Sequence, residues 1–174
     1  MSKIIYLLLI CTVVLTSAVK ARNINDGVGV QTGLPLPRFA SLKSDKVNVR
    51  TGPGKSYPID WVFTRAKMPV EIIAEFENWR KIRDWEGVEG WVHSSLIKGT
   101  RSVIFIQNGF EIRDDLSFDS DPVAVVNPSV AGLLRKCQQG WCLVEVQNPN
   151  KGDKHKGWVH HSYVWGVNKE EAFR

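Results

Sequence analysis

The chain repeats itself. Gly90-Trp91-Val92-His93-Ser94-Ser95-Leu96-Ile97-Lys98-Gly99 returns as Gly157-Trp158-Val159-His160-His161-Ser162-Tyr163-Val164-Trp165-Gly166. Upstream, Val47-Asn48-Val49-Arg50 answers Phe110-Glu111-Ile112-Arg113, and Trp79 with Ile82 answers Trp141 with Val144. A duplication of this kind marks two copies of one folding unit. Each copy is roughly 60 residues long, so the fold must close a core within that length.

Within each copy the apolar pattern is short and has period two. Val70, Ile72, Ala74 and Phe76 fall on one face of a predicted strand with Glu71 and Glu75 on the other, and Cys142, Val144 and Val146 alternate with Trp141, Leu143 and Glu145. No stretch carries an apolar stripe over three helical turns. Turn residues at Gly52-Pro53-Gly54, Glu86-Gly87, Gly140 and Asn148-Pro149-Asn150 through Gly152 cut each copy into about five strands. Many short strands in so few residues predict an all-β chain of two tandem small barrels, closed or half closed. The expected boundaries are 41–98 and 101–166, with a C-terminal tail at 167–174. Residues 22–40, which hold Gly27, Gly29, Gly33, Pro35 and Pro37 with little periodicity, read as an extended linker.

Residues 1–21 read as a signal peptide. Lys3 stands before an apolar run from Ile4 to Val19, and Ser17, Ala18 and Ala21 offer small residues for cleavage. An uncleaved anchor is the alternative, but a run of 16 residues is short against the roughly 20 that span a bilayer. The expectation is export to the periplasm, with no stable membrane insertion once the leader is removed. Cys11 leaves with the leader. Cys137 and Cys142 remain, bracketing Gln138-Gln139-Gly140-Trp141, and in an exported chain that pair predicts a disulfide across a hairpin rather than a metal site.

The ordered series Val47-Asn48-Val49-Arg50-Thr51-Gly52-Pro53-Gly54, Tyr57-Pro58, Pro69-Val70-Glu71-Ile72, Trp79 with Lys81-Ile82, and Gly90-Trp91-Val92 resembles a bacterial SH3-like domain. The second copy is similar in its Trp141-Cys142 hairpin and Gly157-Trp158-Val159 end, but has Asp114-Asp115-Leu116-Ser117-Phe118 where the first has Thr51-Gly52-Pro53-Gly54. The tandem arrangement behind a leader is similar to exported alphaproteobacterial SH3-domain proteins. The resemblance implies the barrel fold and export. It also implies a ligand surface between the loop after the first strand and the Trp-containing hairpin.

Trp79/Trp141 and Trp91/Trp158 occupy matching positions in both copies, so shared barrel construction is their simplest role. Trp61 and Trp85 belong to the first copy alone. With Tyr57 and Trp79 they predict an aromatic trough edged by Glu77, Arg83 and Asp84, suited to a sugar ring or an extended peptide. The alternative is that Trp61 and Trp85 pack between the two units or under the linker. On this reading the second copy, with Asp114, Asp115, Asp119 and Asp121, serves as a disulfide-stapled support.

Other chemistries find little in the sequence. His160 and His161 are adjacent on a predicted strand and point to opposite faces, which suits no shared metal. There is no G-x-S-x-G, no H-E-x-x-H and no glycine-rich phosphate loop, and both mature cysteines are expected to be bonded, so no enzyme, catalytic residue, metal or cofactor is expected. Residues 41–98 hold 10 basic and 8 acidic groups and residues 101–166 hold 7 and 7, which does not describe a nucleic-acid binder. The expectation is a non-catalytic periplasmic binding module that docks to peptidoglycan or an extended peptide segment through the first barrel. The alternative is an envelope structural or assembly protein that binds a protein subunit with no glycan contact.

Overall fold

The structure, a computed structural model, describes residues 27–148, 151–169 and 171–172. The leader read at 1–21 lies outside them. The first half holds β1 (Arg38–Leu42), β2 (Val47–Arg50), β3 (Ile59–Phe63), β4 (Pro69–Phe76), β5 (Trp79–Arg83), β6 (Glu89–His93) and β7 (Ile97–Lys98). The second holds β8 (Ser102–Phe105), β9 (Phe110–Arg113), β10 (Pro122–Val126), β11 (Ala131–Gln138), β12 (Trp141–Gln147), β13 (Lys154–His160) and β14 (Val164–Trp165). A single 3-10 turn, Ser94–Leu96 or His161–Tyr163, precedes the last strand of each half.

The strands form two antiparallel sheets in the orders β3-β2-β6-β5-β4-β1-β7 and β10-β9-β13-β12-β11-β8-β14. Position for position the two orders are the same, so the duplication in sequence is a duplication of fold. Each half has seven strands rather than about five, because closing strands of two residues such as β7 and β14 are too short to show a period.

The alternation read along residues 70–76 breaks midway. Val70 and Ile72 are buried, but a bulge shifts the register between Ile72 and Ala74, after which Glu75 faces inward and Phe76 outward. One extra residue moves every later side chain to the other face. The second sheet carries the same device, a shift between Leu134 and Lys136 that turns Cys137 inward opposite Cys142. Cys137 and Cys142 are disulfide-bonded, as the hairpin spacing predicts. Gln139 and Gly140, at φ 52° and 80°, form the two-residue turn between them.

The first core is built from Leu42, Val47, Val49, Val70, Ile82 and Val92, and the second from Val103, Phe105, Ile112, Val144 and Val159. Trp91 and Trp158 are half-buried on the face opposite Val92 and Val159, so of the matched tryptophans only Trp79 and Trp141 are buried. Ile104 crosses between the halves. It belongs to β8, is fully buried, and packs in the first core. At the same junction Ser41 and Ser102 share a hydrogen bond of 2.6 Å, and Phe39 meets Trp165 edge to face at 5.0 Å. Arg101 lies over the Phe39 ring, bonds the Gly166 carbonyl at 2.7 Å, and holds Glu171 through two bonds of 2.5 and 3.0 Å.

The stretch 22–40, read as a linker, is not a plain spacer over its described part. Residues 38–40 already belong to β1, and residues 27–37 fold back on the first sheet. Gly29 bonds the Leu34 carbonyl, Gly33 bonds that of Gly29, and Leu36 enters the first core. Glu75 clasps this strap. Its carboxylate accepts from the Gln31 amide at 2.9 Å, the Thr32 amide at 3.0 Å, the Thr32 hydroxyl at 2.7 Å and Arg38 at 2.7 Å. A Cβ on Gly29 would meet that carboxylate at 2.5 Å, which is why glycine stands there.

Candidate functional site

The residues expected to form a trough on the first barrel are placed apart in role. Trp61 stacks at a tilt on Phe63 at 4.2 Å, and with Trp85 it packs against the first core. Trp79 is buried and meets His93 edge to face at 5.4 Å. Tyr57 folds back on its own loop, its ring so close to Gly52 that a Cβ there would approach it to 2.3 Å. No ring contact among the described residues joins two of Tyr57, Trp61, Trp79 and Trp85.

The polar rim is likewise committed elsewhere. Asp84 is 3% exposed, and its Oδ1 accepts from the Glu86 and Val88 amides, so it builds the turn before β6. Arg83 is paired with Glu89 at 2.9 Å and Glu71 at 3.4 Å. Hydrogen bonds from Lys81 and then Arg83 hold the Glu89 carboxyl below the usual range. Glu77 occupies the β4–β5 turn at φ 46° and lends its carbonyl to Arg80.

An aromatic surface is assembled instead on the second barrel. Phe110 of β9 stacks on Tyr163 of the 3-10 turn at 3.8 Å. Phe118, in the β9–β10 loop, tilts on Trp141 of β12 at 4.7 Å and lies 5.5 Å from His160. Trp141 and His160 meet edge to face at 5.4 Å. Phe118 caps this set while remaining 50% exposed, so it offers an apolar face to solvent over a buried Trp141.

The loop that carries Phe118 is tied to itself. Asp114 donates its amide to the Asp121 carbonyl at 3.1 Å, Ser120 donates its hydroxyl to the Ser117 carbonyl at 2.8 Å, and Arg113 bonds the Ser120 carbonyl. The first barrel anchors its loop alike, from Thr51 to the Pro58 carbonyl at 3.1 Å and from Arg50 to the Tyr57 carbonyl at 2.6 Å. The two loops are therefore equal in length, 51–58 and 114–121. Superposed through these anchors, Lys55 stands for Phe118, and the matched repeats put Leu96 for Tyr163 and Val47 for Phe110. The Trp–His pair is common to both barrels. Only the second surrounds it with aromatic rings.

His160 sits at the centre of the cluster. Its Nδ1 accepts from the Ser162 amide at 3.5 Å and lies 2.8 Å from the Ser162 hydroxyl, capping the 3-10 turn. Burial first, and then the neighbouring His161, push its pKa down. Three grooves of about 270, 280 and 350 Å³ lie on other parts of the surface and are lined by other residues. Among the described residues no group of three or more His, Cys, Asp or Glu could hold a metal ion, and no helix is long and apolar enough to cross a membrane.

Sequence reading missed Phe110, Phe118, His160 and Tyr163. The available signal was the Arg50/Arg113 match, which fixes the loop register and sets Phe118 against Lys55. Among solved structures the chain is similar to NlpC2 and NlpC1 from Trichomonas vaginalis, each at 10% identity and a TM-score of 0.33. These likenesses cover 74% and 79% of this chain and 48% of each of those, so the chain spans about half their length. No curated protein matches it in sequence. Residues 43–99 match the family model of the bacterial SH3 domain. The match covers most of the first barrel, which is similar to a bacterial SH3 domain there, and the second barrel repeats its strand order.

Proposed function

We propose that the protein is a non-catalytic, exported binding module of the bacterial envelope that docks an extended peptide segment, borne by peptidoglycan or by an envelope protein. The docking surface in this reading is the aromatic cluster of the second barrel, not the first-barrel trough. The observation that carries it is Phe118, held half-exposed over Trp141 by a loop bonded to itself. Aromatic faces fixed in advance lose little entropy on binding and accept a peptide backbone without demanding one hydrogen-bond pattern. The bacterial SH3 match of residues 43–99 supports a binding role for the fold. Export rests on the sequence of residues 1–21 and the cysteine pair.

The test is retention of the purified chain, from residue 22 onward, on isolated sacculi, with Phe118→Ala beside it. Losing this aromatic anchor should weaken binding by about 1–3 kcal/mol. Stability should change little, since half of the ring is already in water. Retention no better than that of a bland control protein discards the peptidoglycan arm. Retention untouched by Phe118→Ala removes the second barrel from the reading.

A further inference from the structure

The groove of about 350 Å³ lies on the first barrel, where β1, β4, β5, the end of β6 and β7 meet the strap. Leu34, Phe39, Ala40, Ile72 and Ile97 give it apolar walls, and the charged residues that line it, Arg38, Arg80 and Lys98, are all basic. Arg38 and Arg80 share one carboxylate, that of Glu75, at 2.7 and 3.4 Å. One positive charge is therefore left over. Arg80 is 8% exposed, and its Nη1 donates to the Glu77 and Trp79 carbonyls at 2.9 and 2.8 Å, but its Nη2 has no partner among the described residues. Lys98 is half-buried, and its ammonium is likewise in no hydrogen bond or ion pair among them. Cationic donors set this deep against apolar walls and left without an acceptor suit an anion that carries an apolar body.

The backbone adds a third element. β7 pairs with β1 only at Ser41 and Leu42, so residues 38–40 have β4 along one edge and no strand along the other among the described residues. Phe39 and Ala40 of this open edge line the groove. The second barrel does not repeat the charged floor, since Cys137 and Cys142 hold the register positions of Glu75 and Arg80.

We propose that this groove binds the carboxyl terminus of a polypeptide whose last residue is apolar. The terminal side chain lies against Leu34 and Ile97, the last peptide groups run along the open edge of β1, and Arg80 Nη2 with Lys98 Nζ takes the terminal carboxylate. An extended chain end meets all three elements at once, the apolar walls, the free strand edge and the surplus positive charge. An inorganic anion would use only the cations, and a simple aliphatic acid would leave the strand edge idle. The site is separate from the aromatic cluster of the second barrel, so neither reading depends on the other.

The probes are alanine hexapeptides labelled with fluorescein at the amino terminus and ending in leucine with a free carboxyl group, leucine with an amide, or glycine with a free carboxyl group. Binding to the purified chain is read by fluorescence anisotropy at low salt. The leucine acid should bind about tenfold more tightly than the leucine amide, and about five- to tenfold more tightly than the glycine acid. Lys98→Gln should reduce the first ratio to about threefold and leave the affinity for the amide in place, while Leu34→Ser should shrink the second ratio. Lys98 is half-buried without a bond and Leu34 is 50% exposed, so both variants should keep the urea midpoint of the parent. Binding that treats acid and amide alike, as docking on the aromatic cluster would, overturns the proposal. A preference for the acid that Lys98→Gln does not move overturns it as well. So does absence of binding by every peptide, and octanoate bound in a Lys98-dependent way would then assign the groove to a small aliphatic acid instead.

Discussion

Glu75 and Arg80 face each other across β4 and β5 at the register position that Cys137 and Cys142 hold across β11 and β12. The same bulge precedes both pairs, and each closes the hairpin from the inner face, one through ions 3.4 Å apart and the other through a covalent bond. The first barrel then adds the strap 27–37 on Glu75, for which the second has no counterpart among its described residues.

Reduction should therefore act through the second barrel. The disulfide closes only a short loop, for which chain-entropy reasoning gives about 2 kcal/mol. Cys137→Ala with Cys142→Ala should lower the urea midpoint by that order, and dithiothreitol should shift the parent but not the variant. Mass spectrometry after alkylation without reductant should find neither thiol blocked in the unreduced protein.

The acid limb of stability should belong largely to Glu75. Burial by itself would raise its pKa, but bonds from Arg38, the Thr32 hydroxyl and the Gln31 and Thr32 amides outweigh burial and hold it at about 2, against an ordinary 4.5. A carboxyl depressed on folding stabilises above its unfolded pKa and loses that contribution as pH falls from about 4.5 to about 2. The linkage is on the order of 3 kcal/mol, since the Glu75 side chain is fully buried. Glu75→Gln should flatten the stability profile in that window, detach the strap, and make residues 27–37 accessible to protease at neutral pH.

The two barrels should unfold together. Ser41 and Ser102 are buried partners from β1 and β8, and the Ser41 hydroxyl also lies 2.6 Å from the Thr100 carbonyl. Ser41→Ala strands those groups at a cost of about 1–3 kcal/mol. Ile104→Ala should cost about 2–5 kcal/mol although the residue lies in the second sheet, because it empties space in the first core. Either variant should keep a single transition by tryptophan fluorescence and by far-UV dichroism. Separate transitions for the halves in the parent protein would contradict the shared core.

Duplication and period-two alternation made the two-sheet fold legible, because those patterns are the fold's own repeat. The bulges were not legible: one inserted residue leaves the composition of a strand unchanged while inverting Glu75 and Phe76. Glu75 in turn read as a surface acid because its partners Gln31, Thr32 and Arg38 lie in a stretch that looks like a spacer. The aromatic cluster of the second barrel was hidden for a related reason. Asp114 to Phe118 share no residue type with Thr51 to Lys55, so the two loops look unrelated until the Arg50 and Arg113 anchors set them in register. Tryptophans drew attention to the first barrel, where Trp61 and Trp85 are half-buried against the core.

The near-neutral pH dependence should trace to His160. Burial in the aromatic cluster, followed by His161, lowers its pKa below the ordinary 6.5, so the unfolded chain binds the proton more readily than the folded one. The sign follows. Stability is complete above about pH 6.5 and declines as pH falls through that value toward the lowered folded pKa, a window above the one assigned to Glu75. Protonation would also deny the Ser162 amide its acceptor at Nδ1 and set a charge against Trp141, loosening the turn that carries Tyr163. Urea midpoints measured from pH 8 to pH 5 should fall on the acid side in the parent. His160→Asn, which keeps a capping oxygen but does not titrate, should give a flatter line. Peptide affinity should fall over the same interval, because Tyr163 and Phe118 both pack around the imidazole. Parallel profiles for parent and variant would place the titrating group elsewhere.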